Sequence, residues 1–213
     1  MKPRTAVVIA ALVVAALFAV AAFMPAPSPA PRAGPAVKLI VEGGHGSGVV
    51  IPGGYILTAA HVATGATDGR VDVVTDAGGS FAASVLWLNK AYDVALLRLD
   101  AAPDDIGTAP LLCRTPPVGE PVRIVGSPLH EDFISGWGRV SGGYRQSGRW
   151  NAVVWLDMAV APGDSGGPVY DERGGVVGIV VGMAMLPGLA GGSPLAMAAA
   201  VPASVVCMLM ART

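Results

Sequence analysis

Charge is scarce in this chain. Only 14% of its 213 residues are Asp, Glu, Lys or Arg, the formal net charge is −1, and basic residues never form a run. Nothing therefore points to a nucleic-acid partner or to electrostatic steering of a ligand. Cysteine is equally sparse: Cys113 and Cys207 fit either one disulfide in an oxidising compartment or two buried free thiols. There are three histidines, and His45 and His130 lack the Cys, His or carboxylate spacing of a metal site. They read as surface or loop residues, and no metal is expected. The glycine clusters lack the Lys of a phosphate loop and the strand–helix spacing of a dinucleotide fingerprint, so no cofactor is expected either. There is no internal repeat.

What is plentiful is small and apolar. Hydrophobic residues make up 53%, with 29 Gly and 18 Pro. That suffices for one domain with a real core but not for two large ones. Ahead of it, Lys2 and Arg4 precede an uncharged run from Ala6 to Met24, 19 residues long. At about 1.5 Å per residue, such a helix nearly matches a bilayer core of roughly 30 Å. Residues 1–24 are thus expected to form a transmembrane signal anchor, with the following domain carried to the periplasm or exterior. The alternative is a signal peptide cleaved near Ala19-Val20-Ala21, which would release a secreted protein. Residues 25–36, rich in Pro and Ala, read as a semi-rigid polyproline spacer.

From residue 37 to 213 the chain reads as strands and turns. Val37–Val41 precedes a glycine-rich bend at Gly43–Gly48, followed by Val49–Ile51, a Pro52-Gly-Gly54 turn and Tyr55–Thr58. Further runs of β type lie at Arg70–Thr75, Phe81–Asn89 and Val94–Leu99. After a proline-rich crossing, Thr115–Pro121, a second set follows at Val122–Gly126, Asp132–Arg139, Ala152–Asp157, Pro168–Tyr170 and Val176–Met183. Ala203–Ala211 lacks a breaker and is expected to form a short closing helix. The fold class expected is all-β: two packed antiparallel barrels with a short C-terminal helix. Gly188–Gly192 reads as a plain connector, and Trp87, Trp137, Trp150 and Trp155 as core or barrel-edge packing.

The most informative stretch is Ala161-Pro-Gly-Asp-Ser-Gly-Gly-Pro168. Gly-Asp-Ser-Gly alone would describe a tight surface turn. An attacking serine, however, needs an exposed hydroxyl, a base, and backbone N–H groups aimed at the developing oxyanion. His61 lies in Thr58-Ala-Ala-His61, where a strand ends, and Asp93 lies just before the apolar Val94–Leu99. Singly, each is a turn or surface residue. Together with Ser165 they stand in the chain order His, Asp, Ser.

Thr58-Ala-Ala-His61, Asp93-Val-Ala-Leu-Leu97 and Gly163-Asp-Ser-Gly-Gly-Pro168 together resemble the trypsin/chymotrypsin-like serine endopeptidases. Gly46-Ser-Gly-Val-Val-Ile51, Gly54-Tyr-Ile-Leu-Thr58, the Asp157–Pro168 pattern and Ala200-Val-Pro-Ala-Ser204 are similar to the compact bacterial HtrA/Deg type. Ile134-Ser-Gly-Trp-Gly138 is closer to the trypsins. The resemblance implies six-stranded, chymotrypsin-like barrels and a catalytic His61, Asp93 and Ser165. It implies an oxyanion hole from the backbone of Gly163, Asp164 and Ser165, and protein or peptide substrates. Ala159 would lie at the base of the primary specificity pocket and Val180, Val181 and Gly182 along its wall. With no acidic residue there, a small or medium aliphatic residue is expected before the scissile bond. Homo-oligomers occur in the HtrA type and are open to this chain. Three departures accompany the likeness: no Cys beside His61, no basic residue followed by Ile-Val-Gly-Gly, and no PDZ domain. Asp164, where the HtrA type usually has Asn, has no evident N-terminal partner. The competing expectation is a binding or holdase module on the same scaffold with an incompetent triad.

Overall fold

The local pattern dictates closed sheets. In β4 (Arg70–Thr75) the side chains of Arg70 and Asp72 face solvent while Val71, Val73 and Thr75 are buried, the period-two pattern of a strand with one face on a core. By contrast, β6 (Val94–Leu99) buries five of its six positions and sits between neighbours on both sides. The computed structural model describes residues 34–101, 106–129, 131–186 and 195–212. The expected helix at 1–24, most of the spacer, His130 and Gly188–Gly192 lie outside the described residues. Among the described residues no helix is long and apolar enough to cross a membrane.

The first sheet contains β1 (Ala36–Val41), β2 (Gly44–Ile51), β3 (Tyr55–Thr58), β4, β5 (Ser80–Asn89) and β6. Its order is β1-β2-β3-β6-β5-β4, and β4 pairs back to β1, closing a barrel. The second contains β7 (Pro121–Gly126), β8 (Ile134–Ser147), β9 (Trp150–Leu156), β10 (Pro168–Tyr170), β11 (Val176–Leu186) and β12 (Leu195–Pro202). Its order is β10-β11-β12-β9-β8-β7, closed by the β7–β10 pairing. All pairs are antiparallel, and closure leaves neither sheet with a free edge along its barrel. Helix α1 (Ala60–Ala63) follows β3, and α2 (Ala203–Met210) follows β12. One buried cluster runs from Leu39, Val49, Ile56 and Leu97 to Trp150, Ile179 and Val206, so the two barrels share a core.

Three expectations need correcting. Gly43–Gly48 is mostly strand rather than bend, because β1 pairs with β2 from Gly44 to Val49. Next, β8 runs to Ser147, beyond Arg139, with register shifts after Val140, Gly142 and Arg145. Its far half carries polar side chains into a hairpin with β9, which hydrophobic patterning does not reveal. Finally, Trp150 and Trp155 pack edge to face in the core, but Trp137 is 71% exposed on β8.

The connector between barrels is stitched down. Arg114 donates to both carboxylate oxygens of Glu120, at 2.7 and 2.6 Å, and to Asp171 at 3.1 Å. One residue earlier, Cys113 forms a disulfide with Cys207 of α2, with Cα atoms 5.6 Å apart. Of the two readings of the cysteines, the cross-link is therefore the one realised. The bridge spans 94 residues, so it removes considerable freedom from the unfolded chain. Replacing both cysteines with alanine is expected to lower the unfolding free energy by about 2–5 kcal/mol. Urea titration checks this, and an unchanged midpoint overturns it.

Candidate active site

His61 sits in the single turn α1, immediately after β3, and its side chain is 45% exposed. Asp93 ends the turn before β6 with φ +58, a left-handed conformation uncommon for residues other than glycine. That backbone turns its carboxylate toward α1. One oxygen accepts the His61 backbone N–H at 2.9 Å, and the other lies 2.8 Å from His61 Nδ1. Burial alone would raise the Asp93 pKa, but the His61 side-chain and backbone bonds, with the nearby His61 and Arg149 charges, outweigh it and lower it overall. An ionised carboxylate only accepts, so Nδ1 carries the proton and the neutral ring leaves Nε2 as an acceptor.

Ser165 comes from the other barrel, in the turn between β9 and β10. Gly163 and Gly166 on either side have φ +104 and +88. A Cβ at Gly163 would lie 2.1 Å from the Ser127 carbonyl, and one at Gly166 would lie 2.1 Å from both Ser47 O and Thr58 Oγ1. Both positions therefore require glycine for sign of φ and for space. The amide of Gly166 donates to Val180 O at 2.7 Å, and that of Gly167 to Asp164 O at 2.9 Å. The Asp164 N–H donates to Ala161 O at 3.0 Å, which removes it from the expected set of oxyanion donors. The N–H groups of Gly163 and Ser165 make no hydrogen bond among the described residues.

The turn is held from below by Ser47 of β2, 1% exposed. Its N–H donates to Ser165 O at 2.8 Å and its hydroxyl to Gly163 O at 2.7 Å. The same hydroxyl accepts the Ser127 N–H at 3.0 Å, and the Ser47 carbonyl accepts from Thr58 Oγ1 at 2.6 Å. Ser47 was visible only as part of a glycine-rich motif, and no sequence signal separates it from its neighbours. His45 also lies in the cleft, its Nε2 2.8 Å from Ser127 O. It is a cleft residue rather than a surface one.

His61, Ser165 and Gly163 line one cleft of about 630 Å³. Val160, Ala161, Val180 and Gly182 form part of its wall. Ala159 is exposed and outside that lining, while Val181 is fully buried in the shared core. The larger hollow of about 950 Å³ beside Trp137 and Arg173 contains none of the expected site residues. Among the described residues, no group of three His, Cys, Asp or Glu is placed to hold a metal.

A family model described as trypsin-like peptidase domain matches residues 46–179. Protease Do-like 1, chloroplastic, of Arabidopsis thaliana is 36% identical over 149 residues, covering 66% of this chain and 34% of that protein. A protein named "Probable periplasmic serine endoprotease DegP-like" from Pseudomonas savastanoi pv. phaseolicola is 36% identical over 160 residues, 73% of this chain and 33% of its own length. The chain thus spans about a third of these curated relatives. Among solved structures, Rv3671c protease in an inactive form is similar with a TM-score of 0.69 and 25% identity, over 88% of this chain and 97% of that one. The HtrA-type protease AlgW with a tripeptide has a TM-score of 0.70 at 24% identity, over 84% and 60%, a likeness of fold.

Asp164 finds its partner inside its own turn. Its carboxylate, 6% exposed, accepts the Ala161 N–H at 2.8 Å, and no cation pairs with it among the described residues. Burial raises its pKa above the ordinary 3.8, only partly offset by the Ala161 bond. Ionisation therefore opposes folding, and stability is lost as pH rises from the unfolded value through the raised folded one. Asp164→Asn keeps an acceptor and carries no charge. It is expected to melt higher than the wild type at pH 7 and to lose that advantage near pH 3, measured by thermal unfolding. A difference that does not vary with pH overturns the assignment.

Proposed function

We propose that this chain, which belongs to the trypsin-like peptidase family, is a serine endopeptidase of the HtrA/Deg kind that works through Ser165, His61 and Asp93. One observation carries the reading: a His61 held by Asp93 at two atoms shares a cleft with Ser165, beside the unpartnered amides of Gly163 and Ser165. Ser165 Oγ attacks the substrate carbonyl carbon as His61 Nε2 takes its proton. The carbonyl oxygen becomes an oxyanion and receives the Gly163 and Ser165 N–H groups. On collapse the C–N bond breaks and His61 returns the proton to the leaving amine. Water, activated by the same imidazole, then hydrolyses the acyl-enzyme and restores Ser165. Throughout, Asp93 keeps the Nδ1–H tautomer and stabilises the imidazolium.

The substrates in this reading are proteins or peptides, in keeping with the tripeptide named for the similar AlgW structure. The disulfide and the periplasmic name of one relative support a periplasmic or extracellular site of action. The uncharged run Ala6–Met24 supports delivery across a membrane, with anchorage if it is retained. The apolar Val160, Ala161 and Val180 support a small or medium aliphatic residue before the scissile bond, because a buried Arg or Lys there would find no counter-charge.

Two measurements test the proposal. The full chain is expected to be labelled by a fluorophosphonate probe, and Ser165→Ala to lose the label. Peptide hydrolysis by that variant should fall to a residue on the order of 10³–10⁴ over water. A folded wild type that takes no label at any pH between about 6 and 9 overturns the enzyme reading in favour of a binding module. In a fluorogenic panel varied at the residue before the cut, Ala, Val or Leu is expected to rank first. Arg or Lys ranking first refutes the pocket assignment.

A further inference from the structure

Arg149 stands exposed at the tip of the β8–β9 hairpin, its guanidinium carbon 4.9 Å from the centre of the Trp150 ring. Trp150 is only 8% exposed and packs edge-on against Trp155, with ring centres 6.1 Å apart. The indole is thus a packed platform, and the Arg149 cation lies over its face. Among the described residues, Arg149 forms no ion pair with a carboxylate, and neither does Lys90. Arg149 borders the cleft and also a pocket of about 230 Å³ that it shares with Lys90, His61 and Asp93. Asp93 is the acidic group there; its oxygens already accept from His61, and the Arg149 charge acts on it without forming an ion pair. Among the cleft's lining residues the carboxylate is Glu42, just before β2. Next to the cleft wall, an Arg149 nitrogen lies 3.5 Å from where a Cβ would sit on Gly182.

We propose that Arg149, aided by Lys90, forms a subsite for an acidic substrate side chain a few residues before the scissile bond. This rests on the endopeptidase reading, which seats the residue before the cut beside Val180. Arg149, Val180 and Gly182 line the same cleft, so substrate chain that runs upstream from Val180 along Gly182 comes within reach of the guanidinium. A carboxylate there meets a planar donor fork already held near the cleft by its contact with Trp150. A Lys or Arg at the same substrate position meets like charge instead.

The test uses matched peptides carrying Glu, Gln or Lys at the second, third or fourth residue before the cut. Cleavage is measured with the full chain and with Arg149→Gln, and affinity by fluorescence anisotropy with Ser165→Ala and with Ser165→Ala/Arg149→Gln. Expected is a roughly 3- to 10-fold preference for Glu over Gln at one position, in kcat/KM and in Kd. That ratio should shrink toward unity with Arg149→Gln and in about 0.5 M salt, where exposed charges are screened. Cleavage without a Glu preference, or a preference that survives Arg149→Gln, overturns the subsite and leaves the endopeptidase standing. Binding that shows the Arg149-dependent preference without any cleavage does the reverse.

Discussion

Ser47 is the point on which the two barrels agree. His61 and Asp93 hang from the first barrel and Ser165 from the second, so their alignment is a question of how one barrel is seated against the other. Ser47 answers it with four short contacts, two to the Gly163–Ser165 turn, one to Ser127 and one to Thr58. All are made inside the protein, where a polar group left unpaired costs on the order of 1–3 kcal/mol. The arrangement is therefore self-enforcing: moving the turn by an ångström would break several buried bonds at once.

The same economy governs the electrostatics. Half-buried Asp93 and buried Asp164 are acids close to the cleft, and their surroundings push them in opposite directions. Asp93 faces a ring N–H and a backbone N–H, enough to keep it ionised. Asp164 faces a single amide from its own turn. In the first case the charge is useful to the neighbour it orients. In the second the carboxyl chiefly shapes the turn, packed so tightly on Gly126 that a Cβ there would meet its oxygen.

Much of this was legible in the chain. Period-two runs such as Arg70–Thr75 and breakers such as Pro52-Gly-Gly54 located several strands and turns, because each strand needs one face buried. His61, Asp93 and Ser165 could be singled out because each stands in a short local context of its own. What escaped was mostly what depends on a neighbour distant in sequence. Gly43–Gly48 escaped for another reason: its partner β1 is next to it in sequence, but the glycines hid the strand pattern. Ser47 looks like any serine among glycines, since its partners are 80 and 116 residues away. Arg149 has no motif at all, and its position follows from a hairpin whose outer half is polar. The cysteines could be read two ways because pairing is a fact of distance, not of spacing.

That pairing has a topological consequence. Cys113 precedes β7 and Cys207 follows β12, so one covalent ring encloses every strand of the second barrel, together with Ser165 and its turn. A single cut in any loop of that barrel opens the backbone but parts nothing: the two pieces stay joined through sulfur and by the sheet they share. On the proposed endopeptidase reading, the chain works among copies of itself, and its own exposed loops are within their reach. The ring makes the half that bears Ser165 tolerant of such a nick for as long as the surroundings remain oxidising.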